Sequence, residues 1–216
     1  MRALKLHGLY VITPDDADGA RFLARVSQAL ESSNLGGWAA LQYRNKLATP
    51  AQRLAQAHAL TALARHHGIP IIINDDVELA LRVQADGVHL GRLDGGLAEA
   101  RRRLPGRVLG ASCHDSLAAA RAAVAAGADY VAFGAVYASR TKPAAVRAPL
   151  ALFRDARSLG VPLVAIGGID EGNAEAVIRA GADAIAVISA LFDAPDVAAR
   201  ARALANLFNH SRSATP

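Results

Sequence analysis

Short runs of Val, Ile, Leu and Ala alternate along the chain with longer, alanine-rich segments that carry charged residues. Short apolar runs are typical of strands buried on both faces, and the segments between them are typical of helices. The pattern predicts eight strands near residues 8–13, 39–44, 70–74, 87–90, 108–112, 130–136, 162–167 and 184–189. It predicts eight helices near residues 16–32, 50–67, 77–84, 97–104, 116–126, 149–159, 173–180 and 196–208.

Each predicted strand is followed by a predicted helix, and this repeat favours an α/β fold with a single (β/α)₈ TIM barrel. An open doubly wound sheet usually needs fewer strands and a reversal of strand order. Thr49 and Pro50 provide an N-cap and a first helical proline, and Asp196 precedes the last helix. Glycines stand where four helices should end, which predicts structural C-caps at Gly68, Gly127, Gly160 and Gly181.

The length of 216 residues and a hydrophobic content of 52% suit one domain, which we place at residues 1–210, with a frayed tail at 211–216. No apolar run approaches the roughly 20 residues that span a bilayer, and the N-terminus lacks the apolar core of a signal peptide. The single cysteine, Cys113, leaves no internal disulfide. We therefore expect a soluble cytoplasmic protein without a membrane partner; the sequence is compatible with a homo-oligomer.

The net charge of +5 is spread along the chain. Only residues 101–103 form a run of arginines, and few aromatic residues lie near it, so we interpret it as a solvated helix face. The charge therefore favours an enzyme for acidic substrates over a nucleic-acid-binding protein.

Polar side chains gather where strands two and three end, the place where a TIM barrel builds its active site. Gln42, Arg44 and Lys46 alternate at the end of strand two, so they should share one side. Strand three runs into Asn74 and Asp75, whose amide and carboxylate we expect at the barrel mouth. The next residue, Asp76, has the simpler role of capping the following helix.

Asp94 follows strand four, so its carboxylate should lie beside that of Asp75. Two carboxylates would repel an anionic substrate unless a cation lies between them, and Mg²⁺ typically takes one or two carboxylates plus phosphate oxygens. The pair therefore predicts a Mg²⁺ site. His89 lies within strand four and is interpreted as a packed histidine, since no second ligand stands at metal spacing.

The remaining strand ends offer groups that suit phosphate oxygens. Ser112 ends strand five and is a candidate ligand, whereas a nucleophilic triad cannot be derived from the spacing. After strand six comes a loop of hydroxyls and cations with Ser139, Thr141 and Lys142. Strands seven and eight end in loops where barrels often bind phosphate through backbone N–H groups, and these loops contain Gly167, Gly168, Ile188 and Ser189.

These segments together resemble the thiamine-phosphate synthase family from Gly8 to Ser189, nearly the whole chain. The specific motifs are Gln42-x-Arg44-x-Lys46 and Asn74-Asp75. Further motifs occur in the family's order at residues 85–91, 127–131, 141–142 and 165–169, and those at 127–131 and 165–169 contain Gly-Ala-Asp and Gly-Gly-Ile pieces that recur in other phosphate-binding barrels. The resemblance implies that the chain joins a pyrimidine methyl diphosphate to a thiazole phosphate and releases pyrophosphate through a pyrimidine-methyl cation.

The resemblance also implies a role for each matching residue. The pyrimidine diphosphate would be held by Gln42, Arg44, Lys46, Asn74, Ser112 and Lys142, and Mg²⁺ by Asp75 and Asp94. The thiazole phosphate would be held by Ser139, Thr141, Gly168, Ile188 and Ser189. Arg44, Lys46 and Lys142 would be the catalytic cations, because they would stabilise the charge that develops on pyrophosphate.

Two loops depart from the family pattern. Arg92 and Leu93 stand where the family usually shows Gln and Glu before Asp94, and Arg92 could weaken Mg²⁺ binding or contact pyrophosphate. Ser139 stands in place of a threonine but keeps the hydroxyl.

Two other functions compete with the synthase. A related thiazole tautomerase would use a histidine where His114 stands, but it would have no use for the diphosphate and metal residues. A noncatalytic phosphate-binding barrel is the third interpretation, since a fold alone does not establish activity.

Overall fold

The computed structural model of the chain describes residues 6–91, 96–138 and 146–210. Its strands are β1 Gly8–Ile12, β2 Trp38–Tyr43, β3 Ile71–Asn74, β4 Gly87–Leu90, β5 Val108–His114, β6 Tyr130–Phe133, β7 Leu163–Ile166 and β8 Ala184–Val187. Its α-helices are α1 Gly19–Leu30, α2 Pro50–His66, α3 Val77–Arg82, α4 Leu97–Arg103, α5 Leu117–Ala125, α6 Ala151–Asp155, α7 Ala174–Ala180, α8 Ser189–Phe192 and α9 Val197–His210. Two short 3₁₀ segments, Ser33–Leu35 and Ala156–Leu159, complete the described elements.

The eight strands form a closed barrel in sequence order, and every neighbouring pair is parallel, including β1 with β8. The predicted single (β/α)₈ barrel is therefore confirmed. Parallel pairing places all strand C-termini at one rim, so residues that follow the strands meet there. No helix in the described part of the chain is both long and apolar enough to cross a membrane.

Alternation along the strands divides the buried residues into two layers. A large outer layer lies between the strands and the helices, with Leu9, Leu41 and Phe133 among its members. The smaller inner layer fills the barrel and consists of Leu6, Tyr10, Ile12, Ala39, Ala40, Ile72, Tyr130, Ala132, Val164, Ala184 and Ala186. The interior is therefore packed, and open space for a ligand lies toward the rim.

The predicted boundary signals hold in detail. Thr49 and Gln52 form a capping box at the start of α2, with Pro50 in the first turn. The Asp196 carboxylate accepts the backbone N–H of Ala199 at the start of α9. The four predicted C-cap glycines all have positive φ, between 67° and 113°. Their role is the structural one expected from the sequence.

Three strands end two or more residues from their predicted ends: β5 continues to His114 instead of ending at residue 112, and β6 and β8 end early. β6 ends at Phe133 rather than at residue 136, and the backbone beyond it bonds irregularly to both neighbours, to His114 O and Ile166 O. β8 ends at Val187, because Ile188 (φ −125°, ψ −83°) leaves the extended conformation and a four-residue helix starts at Ser189. The apolar run 184–188 hides this change, so the sequence pattern did not reveal α8.

Candidate active site

Arg44 follows β2 directly, and the loop after β1 holds both its backbone and its side chain. The Thr13 hydroxyl donates to the Arg44 carbonyl oxygen at 2.7 Å and accepts the Arg44 N–H at 2.8 Å. One oxygen of Asp15 accepts from the Arg44 guanidinium at 2.8 Å, and the other accepts the Lys46 backbone N–H at 2.6 Å. With 18% of its side chain exposed, Arg44 presents a fixed, partly desolvated cation at the rim.

A second layer of contacts supports this loop. The Asn45 side chain donates to the Asp16 carbonyl oxygen at 2.7 Å and accepts the Asp16 N–H at 3.3 Å. Arg21 donates to both carboxylate oxygens of Asp16, at 2.8 and 2.7 Å. The hydrogen bonds from Arg21 lower the pKa of Asp16 to about 2. The loops after β1 and β2 are therefore tied together before any ligand arrives.

Asn74 and Asp75 lie at the end of β3. The Asn74 amide donates to an Asp75 carboxylate oxygen, and the Asp75 N–H donates to the His89 carbonyl oxygen at 2.8 Å. Asp75 has a φ of 64°, a left-handed conformation that is uncommon outside glycine and that clusters at functional sites. Asp76 caps α3 by accepting the Leu79 N–H at 2.8 Å, as predicted.

A cavity of about 830 Å³ opens between these two strand ends. Arg44 and Lys46 line it from β2, and Asn74 and Asp75 line it from β3. Four charged residues from α2, α3 and α4 lie along its outer part: Arg53, Glu78, Glu99 and Arg103. Two of the three predicted cations, Arg44 and Lys46, therefore share one space with Asp75, one of the two predicted metal carboxylates, and a polyanion with a cation could bind between them.

Gln42 lies deeper than the other residues of its motif. Its side chain is 3% exposed and its Nε2 donates to the Tyr10 hydroxyl at 3.0 Å inside the barrel. Ser112 is half-buried on β5, with its Oγ 2.8 Å from His89 Nε2. The two residues thus lie at the inner end of the site, beneath the charged rim.

The two residues after Ser112 differ from each other. Burial raises the pKa of the Cys113 thiol to about 12, so the thiol stays protonated and is a poor nucleophile. His114 is exposed and has a φ of 53°, at a register shift between β5 and β6. The histidine on which the tautomerase alternative depends therefore lies at the rim.

The glycine pair after β7 has a structural reason to be glycine. A Cβ on Gly168 would lie 2.4 Å from the Ala138 carbonyl oxygen, and one on Gly167 would lie 2.6 Å from Ala135 Cα. Both residues also have positive φ, 98° and 68° for Gly167 and Gly168. The pair allows the backbone after β6 to lie against the backbone after β7, so it does not by itself indicate a phosphate.

Ile188 and Ser189 lie after β8, where α8 begins. Their position beside the end of β7 matches the two loops that bind phosphate in many barrels, often with a short extra helix. Four predicted site residues lie outside the described residues: Asp94, Ser139, Thr141 and Lys142. The departures from the family pattern at Arg92 and Leu93 also lie outside them.

The oxygen ligands of the described residues fit a hard cation such as Mg²⁺. No group of three or more His, Cys, Asp or Glu residues that could hold a metal occurs within 6–91, 96–138 and 146–210. Mg²⁺ commonly takes only one or two protein carboxylates and completes its shell with substrate oxygens and water. Asp75, in its left-handed conformation on the cavity wall, could supply one such carboxylate.

Sequence reasoning missed Thr13 and Asp15, which hold Arg44 in place. A signal existed, since both lie within three residues of the end of β1, on the side where Asp75 follows β3. Sequence reasoning also missed the polar hydroxyls of Tyr10 and Tyr130, because a tyrosine in a strand is interpreted as an apolar core residue.

Known proteins resemble this chain over nearly its whole length. The profile of the thiamine monophosphate synthase family matches residues 9–191. The thiamine-phosphate synthase of Chromobacterium violaceum is 59% identical over 205 residues, which cover 94% of this chain and 97% of that protein. That of Aromatoleum aromaticum is 56% identical over 207 residues, covering 95% and 98%.

Solved structures agree with the sequence comparisons. Thiamine phosphate pyrophosphorylase from Pyrococcus furiosus superposes with a TM-score of 0.83 at 35% identity, covering 96% of this chain and 98% of that one. A 3-hexulose-6-phosphate synthase, 20% identical with a TM-score of 0.68 and coverage of 93% and 99%, shares the fold alone. From the family profile and the relatives, this chain belongs to the thiamine monophosphate synthase family of transferases.

Proposed function

We propose that this enzyme condenses 4-amino-2-methyl-5-hydroxymethylpyrimidine diphosphate with thiazole phosphate, yielding thiamine phosphate and pyrophosphate. The observation that carries the proposal is the cavity in which Arg44 and Lys46 from β2 lie with Asp75 from β3. A diphosphate that binds together with a divalent cation needs cationic side chains for its oxygens and a carboxylate for the metal in one space. The identity with synthases over nearly the whole chain supports the same reaction.

The chemical step breaks the bond between the pyrimidine methylene carbon and the diphosphate oxygen. The electron pair leaves with pyrophosphate, and the carbon becomes a pyrimidine-methyl cation. The thiazole nitrogen lone pair then forms the new C–N bond, so neither step needs a general base. Negative charge grows on the departing oxygens, and cations at that position stabilise the transition state more than the bound substrate.

Arg44 is held in place by its neighbours. Asp15 holds its guanidinium at 2.8 Å, and Thr13 fixes its backbone on both sides. A group held in place before reaction loses little entropy and reorganises little when charge develops. Lys46 and Lys142 would add positive charge around the same diphosphate.

Asp75 and Asp94 would hold Mg²⁺ in this account. When bound, the metal would neutralise charge on the leaving diphosphate. Asn74 donates to Asp75 and so fixes the orientation of its carboxylate, which is the usual support for a metal-binding carboxylate.

The two rings would lie on either side of the reacting carbon. Gln42, Asn74 and Ser112 would bind the pyrimidine end of the diphosphate substrate, with Gln42 and Ser112 below the charged rim. The thiazole phosphate would be bound by Ser139, Thr141, Gly168, Ile188 and Ser189. Holding the thiazole nitrogen against the nascent cation provides proximity and limits capture by water.

The proposed partners are small phosphorylated molecules, the sequence being compatible with a homo-oligomer, and the proposed location is the cytoplasm. A single, buried and protonated cysteine suits a reducing compartment.

The test is pyrophosphate release by the purified protein given both substrates and Mg²⁺. We expect release that depends on both substrates, and no release at saturation would reject the proposal. His114→Gln is the matched control, because it should leave release unchanged but abolish activity in a tautomerase. Isomerisation of the thiazole without pyrophosphate release would select the tautomerase, and binding without turnover would select the noncatalytic barrel.

A further inference from the structure

A chain of five polar side chains crosses the barrel interior below the charged rim. Gln42 Nε2 lies 3.0 Å from the Tyr10 hydroxyl, which lies 2.8 Å from the Tyr130 hydroxyl. The Tyr130 hydroxyl lies 2.9 Å from His89 Nδ1, and His89 Nε2 lies 2.8 Å from Ser112 Oγ. Each side chain comes from a different strand. The two ends of the chain are two residues that we propose as substrate contacts.

The packing shows that this interior chain is a built feature. Tyr10 and Tyr130 are at most 1% exposed, and the His89 ring stacks on Tyr130 at 5.5 Å with an interplanar angle of 30°. Gly110 makes room for the Tyr130 ring, because a Cβ there would lie 2.1 Å from Tyr130 Cζ. Burial raises the pKa of both tyrosine hydroxyls, so each keeps its proton.

The protons in the chain can be placed one after another. The Gln42 amide nitrogen can only donate, so the Tyr10 oxygen accepts and the Tyr10 proton goes to Tyr130. Tyr130 then donates its own proton to His89 Nδ1. A neutral histidine that accepts at Nδ1 carries its proton on Nε2 and donates it to Ser112 Oγ. The Ser112 proton is not needed within the chain.

This order fixes what the two ends offer to a ligand. Ser112 is left with a proton to donate. Gln42 presents its Oε1, a hydrogen-bond acceptor, on the side of the amide opposite to Tyr10. Among the described residues Oε1 has no hydrogen-bond partner, and it is not one of the fully buried polar atoms that lack a partner. One acceptor and one donor match an aromatic ring that carries an amino group and a ring nitrogen.

We propose that Tyr10, Tyr130 and His89 are positioning residues that fix the hydrogen-bond polarity of Gln42 and Ser112, and so select an aminopyrimidine over its oxo counterpart. The inference rests on the proposed function for the identity of the substrate. An oxo group would place an acceptor against the Gln42 acceptor, and an unmatched pair of this kind is strongly rejected in a buried site. The selectivity for the amino group requires that the Gln42 amide cannot flip.

Removing the Tyr130 hydroxyl releases this constraint. In Tyr130→Phe the Tyr10 proton loses its acceptor, so Tyr10 can donate to Gln42 Oε1 instead. The Gln42 amide then flips and presents its NH₂ to the ligand. An NH₂ donor suits an oxo group. The same substitution also removes the hydroxyl that donates to His89 Nδ1 and so keeps this nitrogen unprotonated.

The first experiment is NMR of the free, ¹⁵N-histidine-labelled enzyme, with the His89 signals identified by their loss in His89→Gln. We expect the Nε2–H tautomer in the wild type and loss of this fixed tautomer in Tyr130→Phe. The Nδ1–H tautomer in the wild type would overturn the proposal. Because this measurement needs no turnover, its outcome is separate from that of the pyrophosphate-release assay.

The second experiment compares kcat/KM for the 4-amino and 4-oxo pyrimidine diphosphates. We expect Tyr130→Phe to lower the amino-to-oxo ratio by about tenfold, the size of one unmatched buried hydrogen bond. Tyr10→Phe, which frees Gln42 but leaves the bonds from Tyr130 to Ser112, should lower the ratio while the His89 tautomer stays fixed.

Tyr43→Phe is the matched control, because it removes another buried tyrosine hydroxyl, one that donates to Gln56 outside the interior chain. Its ratio should equal that of the wild type. An unchanged ratio in both Tyr130→Phe and Tyr10→Phe would overturn the proposal, whatever happens to their stability.

Discussion

Aspartates lie at both ends of the barrel, but they do different work at each end. At the C-terminal rim, Asp15 holds the Arg44 guanidinium and Asp75 lines the cavity. At the N-terminal end, the carboxylates of three aspartates accept backbone N–H groups at the starts of neighbouring strands, at 2.7 to 2.8 Å; these aspartates are Asp86, Asp129 and Asp183. The rim carboxylates border the proposed site, and those at the other end join strands.

The N-terminal aspartates follow one pattern. Each accepts the N–H of a strand residue and donates its own N–H to the carbonyl oxygen of that same residue; for Asp129 this residue is Leu109. The pairs join β3 to β4, β5 to β6 and β7 to β8. A cavity of about 630 Å³ also lies at this end, lined by Leu163 and Asp183 among others. Concavity alone therefore does not identify the active site, whereas the side chains that line it do.

Strand direction determines which of the two positions an aspartate takes. An aspartate just before a strand falls at the N-terminal end of a parallel barrel, and one just after a strand falls at the C-terminal end. Asp129 before β6 and Asp75 after β3 are distinguishable in the sequence on this basis. Matched substitutions at the two ends should therefore have different effects on activity and on stability.

The largest effect is expected from Asp75→Asn. Asparagine tolerates the left-handed backbone, so the change removes charge with little strain. We expect kcat/KM to fall on the order of a thousandfold at low Mg²⁺ and to recover partly at high Mg²⁺, because a metal ligand is lost. Titration of activity with Mg²⁺ checks this. Equal losses at every concentration would argue against metal ligation, and Asp94→Asn should behave as Asp75→Asn does.

Arg44→Ala should have the next largest effect. We expect kcat to fall about a hundredfold, because the cation acts most strongly on the charge of the transition state. Steady-state kinetics at saturating substrate measure it, with the exposed Arg121→Ala on α5 as the control. Near-normal turnover in Arg44→Ala would remove this residue from the site.

Asp129→Asn tests the opposite end. It weakens the acceptor for Leu109 N–H and the contact with Arg101, so we expect a loss of about 2 kcal/mol in the free energy of unfolding. Its kcat should stay near that of the wild type while the protein is folded. Urea unfolding together with kinetics measures both quantities, and a large drop in kcat at unchanged stability would contradict the division between the two ends.

The smallest effect concerns pH and Asp16, which supports the rim loops. Its pKa is lowered from 3.8 to about 2 by the hydrogen bonds from Arg21, so its stabilisation is present above the higher value and is lost as the pH falls toward the lower one. We expect Asp16→Asn to cost roughly 1 kcal/mol at neutral pH, since Arg21 is largely exposed.

Unfolding curves of the wild type and of Asp16→Asn, measured from neutral to acid pH, test this dependence. The difference in free energy of unfolding should shrink as the pH drops below about 4. A difference that is independent of pH would show that the carboxylate charge is not the source of the stabilisation.

The sequence predicted much of this architecture, because each strand is a compact apolar run and each helix carries its own start and stop signals. It failed at α8, where Ile188 continues the apolar run but leaves the extended conformation. It placed Arg44, Lys46, Asn74 and Asp75 at one rim, since strand direction alone determines that position.

The support of the site was harder to predict. The contact of Asp15 with Arg44 joins two loops that are 29 residues apart, and that of Tyr10 with Tyr130 joins residues 120 apart. Such pairs depend on the barrel register and on the direction of each side chain. The glycines at 110 and 168 were unpredictable for the same reason, because each is required by a neighbouring residue that only the folded barrel brings close.

A crystal structure of the enzyme with pyrophosphate and Mg²⁺ bound would show whether the C-terminal rim of the barrel binds the diphosphate. We predict pyrophosphate oxygens within hydrogen-bond distance of Arg44 and Lys46, with the metal bound to Asp75 at the same rim. Pyrophosphate bound at the opposite end of the barrel, or bound at the rim without contact to Arg44 and Asp75, would contradict the account.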